Sequence, residues 1–156
     1  VNRKIEKLHD LLNDIEQAIP FNDKVVPKVS KVSIGWQLDH VLKVINAVCP
    51  MLAKKHSRPY KKDFNFMRLL LFPLGYIPRG RARAPKVVNN REAISTKDLE
   101  AQLNSAKNHV NGIENIHEGA YFIHHIFGTL SKKQTLRFLE IHTRHHLKIV
   151  EDILKS

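Results

Sequence analysis

The stretch SKKQTLRFLEIHTRHHLKIVEDI, residues 131–153, decides how the chain is read. Ser131 and Gln134 stand three apart, a capping-box pattern that opens a helix. Beyond it Phe138, His142, His146, Ile149 and Ile153 recur every three or four residues, so they share one helix face. Phenylalanine and isoleucine mark that face as the inward one. Two imidazoles thus fall where burial is expected, and burying a polar group is costly unless it finds a partner. His145 shares a face with His142 at i,i+3 but lies off the stripe. It is the competing candidate, and His146 is preferred.

Three further segments carry the same periodicity. Ile5, Leu8, Leu12, Ile15 and Ile19 form a heptad-like stripe that Pro20 ends. Over roughly 34–55, Trp36, His40, Val44, Ala47 and Met51 line up, and Pro50 is expected to kink the helix or end its regular part. Over roughly 96–112, Leu99, Leu103, Ala106 and Val110 do the same; Ser95 or Thr96 suits the N-cap and Gly112 the end. No segment shows strand alternation bounded by hairpin signals. The expectation is one all-α domain over residues 1–156, a four-helix bundle. The connection from about 56 to 94, between the second and third helices, is long and suits a crossover, with a short helix at 64–72.

At 156 residues the chain is long enough for one core, and its 42% apolar share is not that of a disordered chain. No apolar run reaches a membrane span, and no membrane partner is expected. The greasiest stretch, MRLLLFPLGYI (67–77), is broken by Pro73 and Gly75. It points to a homodimer contact or to a cover over the bundle. The lone Cys49 excludes an internal disulfide framework and a multi-cysteine zinc site. It reads as a buried thiol; with no secretory signal visible, the expectation is a cytoplasmic protein.

Twenty-six Lys and Arg against 15 Asp and Glu give a formal charge of +11. Nucleic acid is the obvious rival reading. RGRARAPK (79–86), read as an exposed basic turn, and KKHSRPYKK (54–62) are its best candidates. Yet no helix-turn-helix, RNP or zinc-finger signature is present and the charge is scattered, so no specific nucleic-acid partner is expected.

On the second helix His40 sits between Trp36 and Val44, so it too points inward. One shared metal ion would satisfy His40, His142 and His146 together, and imidazole suits borderline ions such as zinc, nickel, copper or iron. An H-x-x-x-H pair alone is weak among ten histidines; agreement between two helices strengthens it. The bland reading is hydrogen-bonded core histidines. Trp36, one turn before His40, reads mainly as packing, with a pocket wall as the functional alternative. His124 reads either as a group near the open coordination position or as a turn histidine bonded to backbone.

SIGWQLDHVLKVI (33–45) and HHIFGTLSKKQTLRFLEIHTRHHLKIVEDI (124–153) carry a resemblance. The first resembles the second helix of the DinB-like superfamily of metalloenzymes. The second resembles a branch of it, with no assigned activity, in which a His-x-x-Phe-Gly turn leads into a final helix bearing His-Thr-x-His-His-Leu. That resemblance implies a bacterial four-helix bundle with an up-down-down-up path. It implies a divalent metal, zinc or nickel most often, on His40, His142 and His146. It also implies a small-molecule substrate, with low-molecular-weight thiols the cosubstrates of characterised relatives. The branch usually has proline after the first turn histidine, where this chain has His125.

Three protein ligands leave one coordination position open, the catalytic pattern for zinc. The expectation is therefore a metal-dependent enzyme, a thiol-dependent transferase or a hydrolase. The alternative is a noncatalytic metal-binding or interaction protein. No general base is identified: Asp39 and Glu140 stand within two residues of ligands in sequence but point away from them around the helix, and Gln37 is judged no better. Arg144 and Lys148 are candidates for a cationic rim that attracts a carboxylate-bearing cosubstrate.

Overall fold

A computed structural model describes residues 2–79 and 94–156. In chain order they form α1 (Asn2–Ala18), a 3-10 turn (Ile19–Phe21), α2 (Ile34–Ala53), α3 (Phe66–Leu74) and α4 (Thr96–Gly112). A second 3-10 turn (Ile113–Asn115), β1 (Tyr121–His124), β2 (Gly128–Ser131) and α5 (Lys132–Lys155) complete the chain. The protein is mostly helical, and its four long helices are those read from periodicity. Beyond Arg79, the basic run RGRARAPK lies outside the described residues.

Local chemistry fixes the helix starts. Ser131 forms the full capping box with Gln134. Ser95 caps α4 through Asp98 N–H, and Ser33 caps α2 through Trp36 N–H. Pro50 does not end α2, which runs on to Ala53.

The amphipathic faces then pack. α1 and α2 each lie against both α4 and α5. Leu12, Ile15, Leu42, Ile45, Leu103 and Leu139 are buried at the centre, each contributing about 1.5–3 kcal/mol of burial. Polar pairs give the relative directions. Gln102 donates to Asp39 at 2.9 Å and His109 meets Asn46 at 3.0 Å, so α2 and α4 advance together. His142 meets His40 whereas His146 meets Gln37, so α5 runs against α2.

The absence of strands expected from sequence is corrected by a small hairpin. β1 and β2 pair antiparallel from Tyr121↔Ser131 to His124↔Gly128. The support for these four-residue strands is distant in sequence. His56 stacks on Tyr121 with ring centroids 3.8 Å apart and bonds its carbonyl at 2.7 Å. Asp63 accepts from Thr129 N–H at 2.9 Å. Gly128 has φ 69°, and a Cβ there would collide with the Asp63 carboxylate, so the turn needs glycine twice over.

α3 lies two residues later than expected and is held from the inside. Buried Arg68 donates to Asp63 at 2.8 Å and to the carbonyls of Phe127 and Thr129 at 3.0 and 2.9 Å. Leu71 is buried, Phe72 packs on Phe127, and Arg137 of α5 donates twice to the Phe72 carbonyl.

Candidate metal centre

α2 and α5 place His40, His142 and His146 together, with one nitrogen from each within 4.8 Å of the others. His40 Nε2 and His142 Nε2 are 3.3 Å apart. The His146 ring centroid lies 4.7 Å from that of His40 and 4.7 Å from that of His142. All three rings are half-buried. His142 and His146 follow the edge of α5 that faces α2, while Leu136, Leu139, Thr143 and Val150 occupy the deepest positions of that helix.

The electrostatics favour neutral imidazoles. Burial pushes His142 down to about 3 and His146 down to about 2, and the neighbouring rings add to it. His40 is lowered as well, by burial first, against the pull of Asp39. Neutral rings offer nitrogen lone pairs at ordinary pH, as a metal ligand must.

Gln37 is the residue that sequence reasoning dismissed. Its side chain is buried, and its Oε1 lies 2.5 Å from His146 Nδ1. Ser30 Oγ gives its proton to the Val32 carbonyl at 3.0 Å and so accepts from the Gln37 amide nitrogen at 3.3 Å, which fixes which way round the amide sits. His146 therefore donates from Nδ1 and leaves the Nε2 lone pair free, the arrangement that orients a ligating histidine. The available signal was spacing: Gln37 lies one turn before His40, on the same face. His142 is held differently. Its Nδ1 is buried with no hydrogen-bond partner among the described residues, as is Thr143 Oγ1, so packing orients the ring beside Phe138 at 5.6 Å.

The other candidates separate clearly. Trp36 stacks parallel on His40, with centroids 5.3 Å apart and planes 4° from parallel, so it forms one wall of the cluster. His145 meets His146 edge-on at 5.1 Å and lies outside the triad. His124 is a turn histidine: its Nδ1 accepts from Ile126 N–H at 3.0 Å and Phe127 N–H at 3.3 Å. It also packs edge-on against Phe138, and burial lowers it to about 4. His109 lies on α4 and pairs with Asn46. Arg144 reaches toward Glu140, and Lys148 pairs with Glu151 and Asp152. Both cations are thus tied to carboxylates of their own helix. A cavity of about 280 Å³ is lined by Glu16, Thr96, Glu100 and neighbours and by none of the three histidines.

Chemically, three neutral nitrogens converging from two helices fit a borderline divalent ion. No family model, curated protein or solved structure matches the chain. The site is therefore read from its own geometry.

Proposed function

We propose that the protein is a metal-dependent enzyme of the DinB-like type, holding a divalent ion, zinc or nickel, on His40, His142 and His146. One observation carries the reading: ligand positions 102 residues apart bring two Nε2 atoms to 3.3 Å, with a third neutral ring beside them. Tetrahedral zinc with Zn–N near 2.0–2.1 Å sets neighbouring nitrogens roughly 3.3 Å apart. An N–H···N bond would account for two of the rings, whereas an ion accounts for all three.

The fold is read as a four-helix bundle with an up-down-down-up path, the segment between α2 and α4 serving as its crossover. Parallel α2 and α4, with α5 antiparallel to α2, support that path. The chain's own residues perform the positioning. Gln37 fixes the His146 tautomer, burial keeps the rings neutral, and Trp36 shields one side of His40. His40, His142 and His146 would hold the ion, which would supply Lewis-acid activation of water or of a thiol near neutral pH. Water makes the enzyme a hydrolase; a low-molecular-weight thiol makes it a transferase. A cytoplasmic setting suits the buried Cys49 thiol, which burial pushes up to about 12.

The test is thermal unfolding of chelator-treated protein with added zinc or nickel. A bound ion at a hundredfold excess over Kd stabilises by about 2.7 kcal/mol, read as a rise in midpoint. The rise should vanish in His142→Ala/His146→Ala. Metal-loaded protein is then assayed for thiol consumption and for ester or amide hydrolysis. An unchanged midpoint with either ion would remove the reading.

A further inference from the structure

α3 is built inside out. Its only charged residue, Arg68, is buried, together with Leu71. At 100° per residue, Arg68, Leu71 and Phe72 share the inward arc. Phe66, Met67, Leu69, Leu70, Pro73 and Leu74 cover the rest and are exposed. Leu69 and Leu74 are each 62% exposed, and Phe64, just before the helix, is 82% exposed. A helix apolar all round normally lies buried, and a contiguous exposed apolar face marks an interaction site. This face is also rigidly presented. Arg68 ties it to the hairpin, Arg137 ties its C-terminal carbonyl to α5, and Gly75 closes it with φ 65°.

The segment leading into it is strongly basic. Lys54, Lys55, Arg58, Lys61 and Lys62 are all exposed, and none has an ion-pair partner among the described residues. The acid among them, Asp63, is taken by Arg68. Five cations thus precede seven exposed large hydrophobic side chains within one short stretch, 54–76. We propose that this face docks on an anionic phospholipid membrane, with the apolar residues of α3 entering the interface and the cations of 54–62 meeting the lipid headgroups.

Charge complementarity selects this occupant. A second copy meeting the same face would bring five further cations to the same interface, in a chain of formal charge +11. Nucleic acid would answer the cations and leave the leucines and phenylalanines in water. An anionic bilayer surface answers both. No helix among the described residues is long and apolar enough to cross a membrane, and lying on a surface requires none. A membrane partner of this kind is not excluded by the lack of a spanning apolar run, on which the sequence expectation of no membrane partner rests. This face stands apart from the histidine cluster, so either reading can fail without the other.

The test is vesicle cosedimentation of the full chain, with phosphatidylcholine vesicles beside phosphatidylserine-containing ones. Two variants accompany it: Leu69→Glu/Leu70→Glu, and Lys54→Glu/Lys55→Glu/Lys61→Glu/Lys62→Glu. Circular dichroism and the thermal midpoint confirm that each variant is folded. The expected result is binding to the anionic vesicles at least about tenfold over the neutral ones, weakened by salt. It should be lost in the leucine variant and reduced at least about tenfold in the lysine variant. Equal sedimentation with both vesicle types, or binding that survives both variants, would overturn the proposal. So would a dimer abolished by Leu69→Glu/Leu70→Glu in a protein that leaves vesicles unbound.

Discussion

Two helices place their side chains in opposite senses: α5 turns His142 and His146 toward α2, whereas α3 turns Phe66, Leu69 and Leu70 toward solvent. Their energetics differ as much as their direction. A buried imidazole loses hydration on folding and needs a partner to offset it. An exposed leucine is solvated in both folded and unfolded chains, so it contributes little either way. The histidine cluster is therefore a standing cost that a bound ion can offset. The α3 face is nearly neutral, and its helix stays in place because of what lies beneath it. Each helix departs from ordinary patterning, and each departure underlies one of the two proposals.

The largest expected effect tests what lies beneath α3. Arg68→Ala takes the guanidinium donor from the Phe127 and Thr129 carbonyls and from the Asp63 carboxylate, which keeps only Thr129 N–H. Loss of about 3–5 kcal/mol in urea denaturation is expected, with hydrogen exchange accelerated first in α3 and the hairpin. A loss no larger than that of an exposed arginine would mean that α3 is held by something else.

Acid tests the other helix. In metal-free protein His142 and His146 titrate near 3 and 2, against about 6.5 unfolded. The unfolded chain takes up protons first as pH falls. Stability is thus full above about 6.5 and declines from there toward the folded values. At pH 5 the decline approaches about 2 kcal/mol for each ring. Acid titration of the thermal midpoint measures it, and His142→Ala/His146→Ala should flatten the curve between about 6.5 and 5. An equally steep decline in the variant would place the acid sensitivity elsewhere.

A smaller effect sharpens the account of Gln37. Gln37→Leu keeps the bulk but removes the acceptor for His146 Nδ1. Metal affinity should fall about 10–100-fold, measured by competition with a chromophoric chelator. Unchanged affinity would reduce Gln37 to packing. The smallest effect closes the comparison: Leu69→Gln and Leu70→Gln should each change stability by no more than about 0.5 kcal/mol. A larger loss would mean that the face is covered within the chain.

What was legible in the sequence follows the range of the interactions involved. Ser95 and Ser131 announced α4 and α5 because a cap is settled within four residues. His40, His142 and His146 could be placed because a helix face repeats over a few turns, and the structure brings them together. Gln37 was missed although it stands three residues before His40. Its importance comes from His146, 109 positions away. The hairpin was missed because its strands are four residues long and are fixed by His56 and Asp63. The greasiness of 67–77 was plain, but its outward direction was not. That direction depends on Arg68 finding acceptors on Phe127 and Thr129.

The most direct measurement is the metal content of the purified full chain by elemental mass spectrometry, beside His142→Ala/His146→Ala. About one equivalent of a divalent transition metal per chain is expected, lost in the variant. Wild-type protein that carries none and takes up none from added zinc or nickel would contradict it, leaving three neutral histidines packed between α2 and α5 with no ion to share.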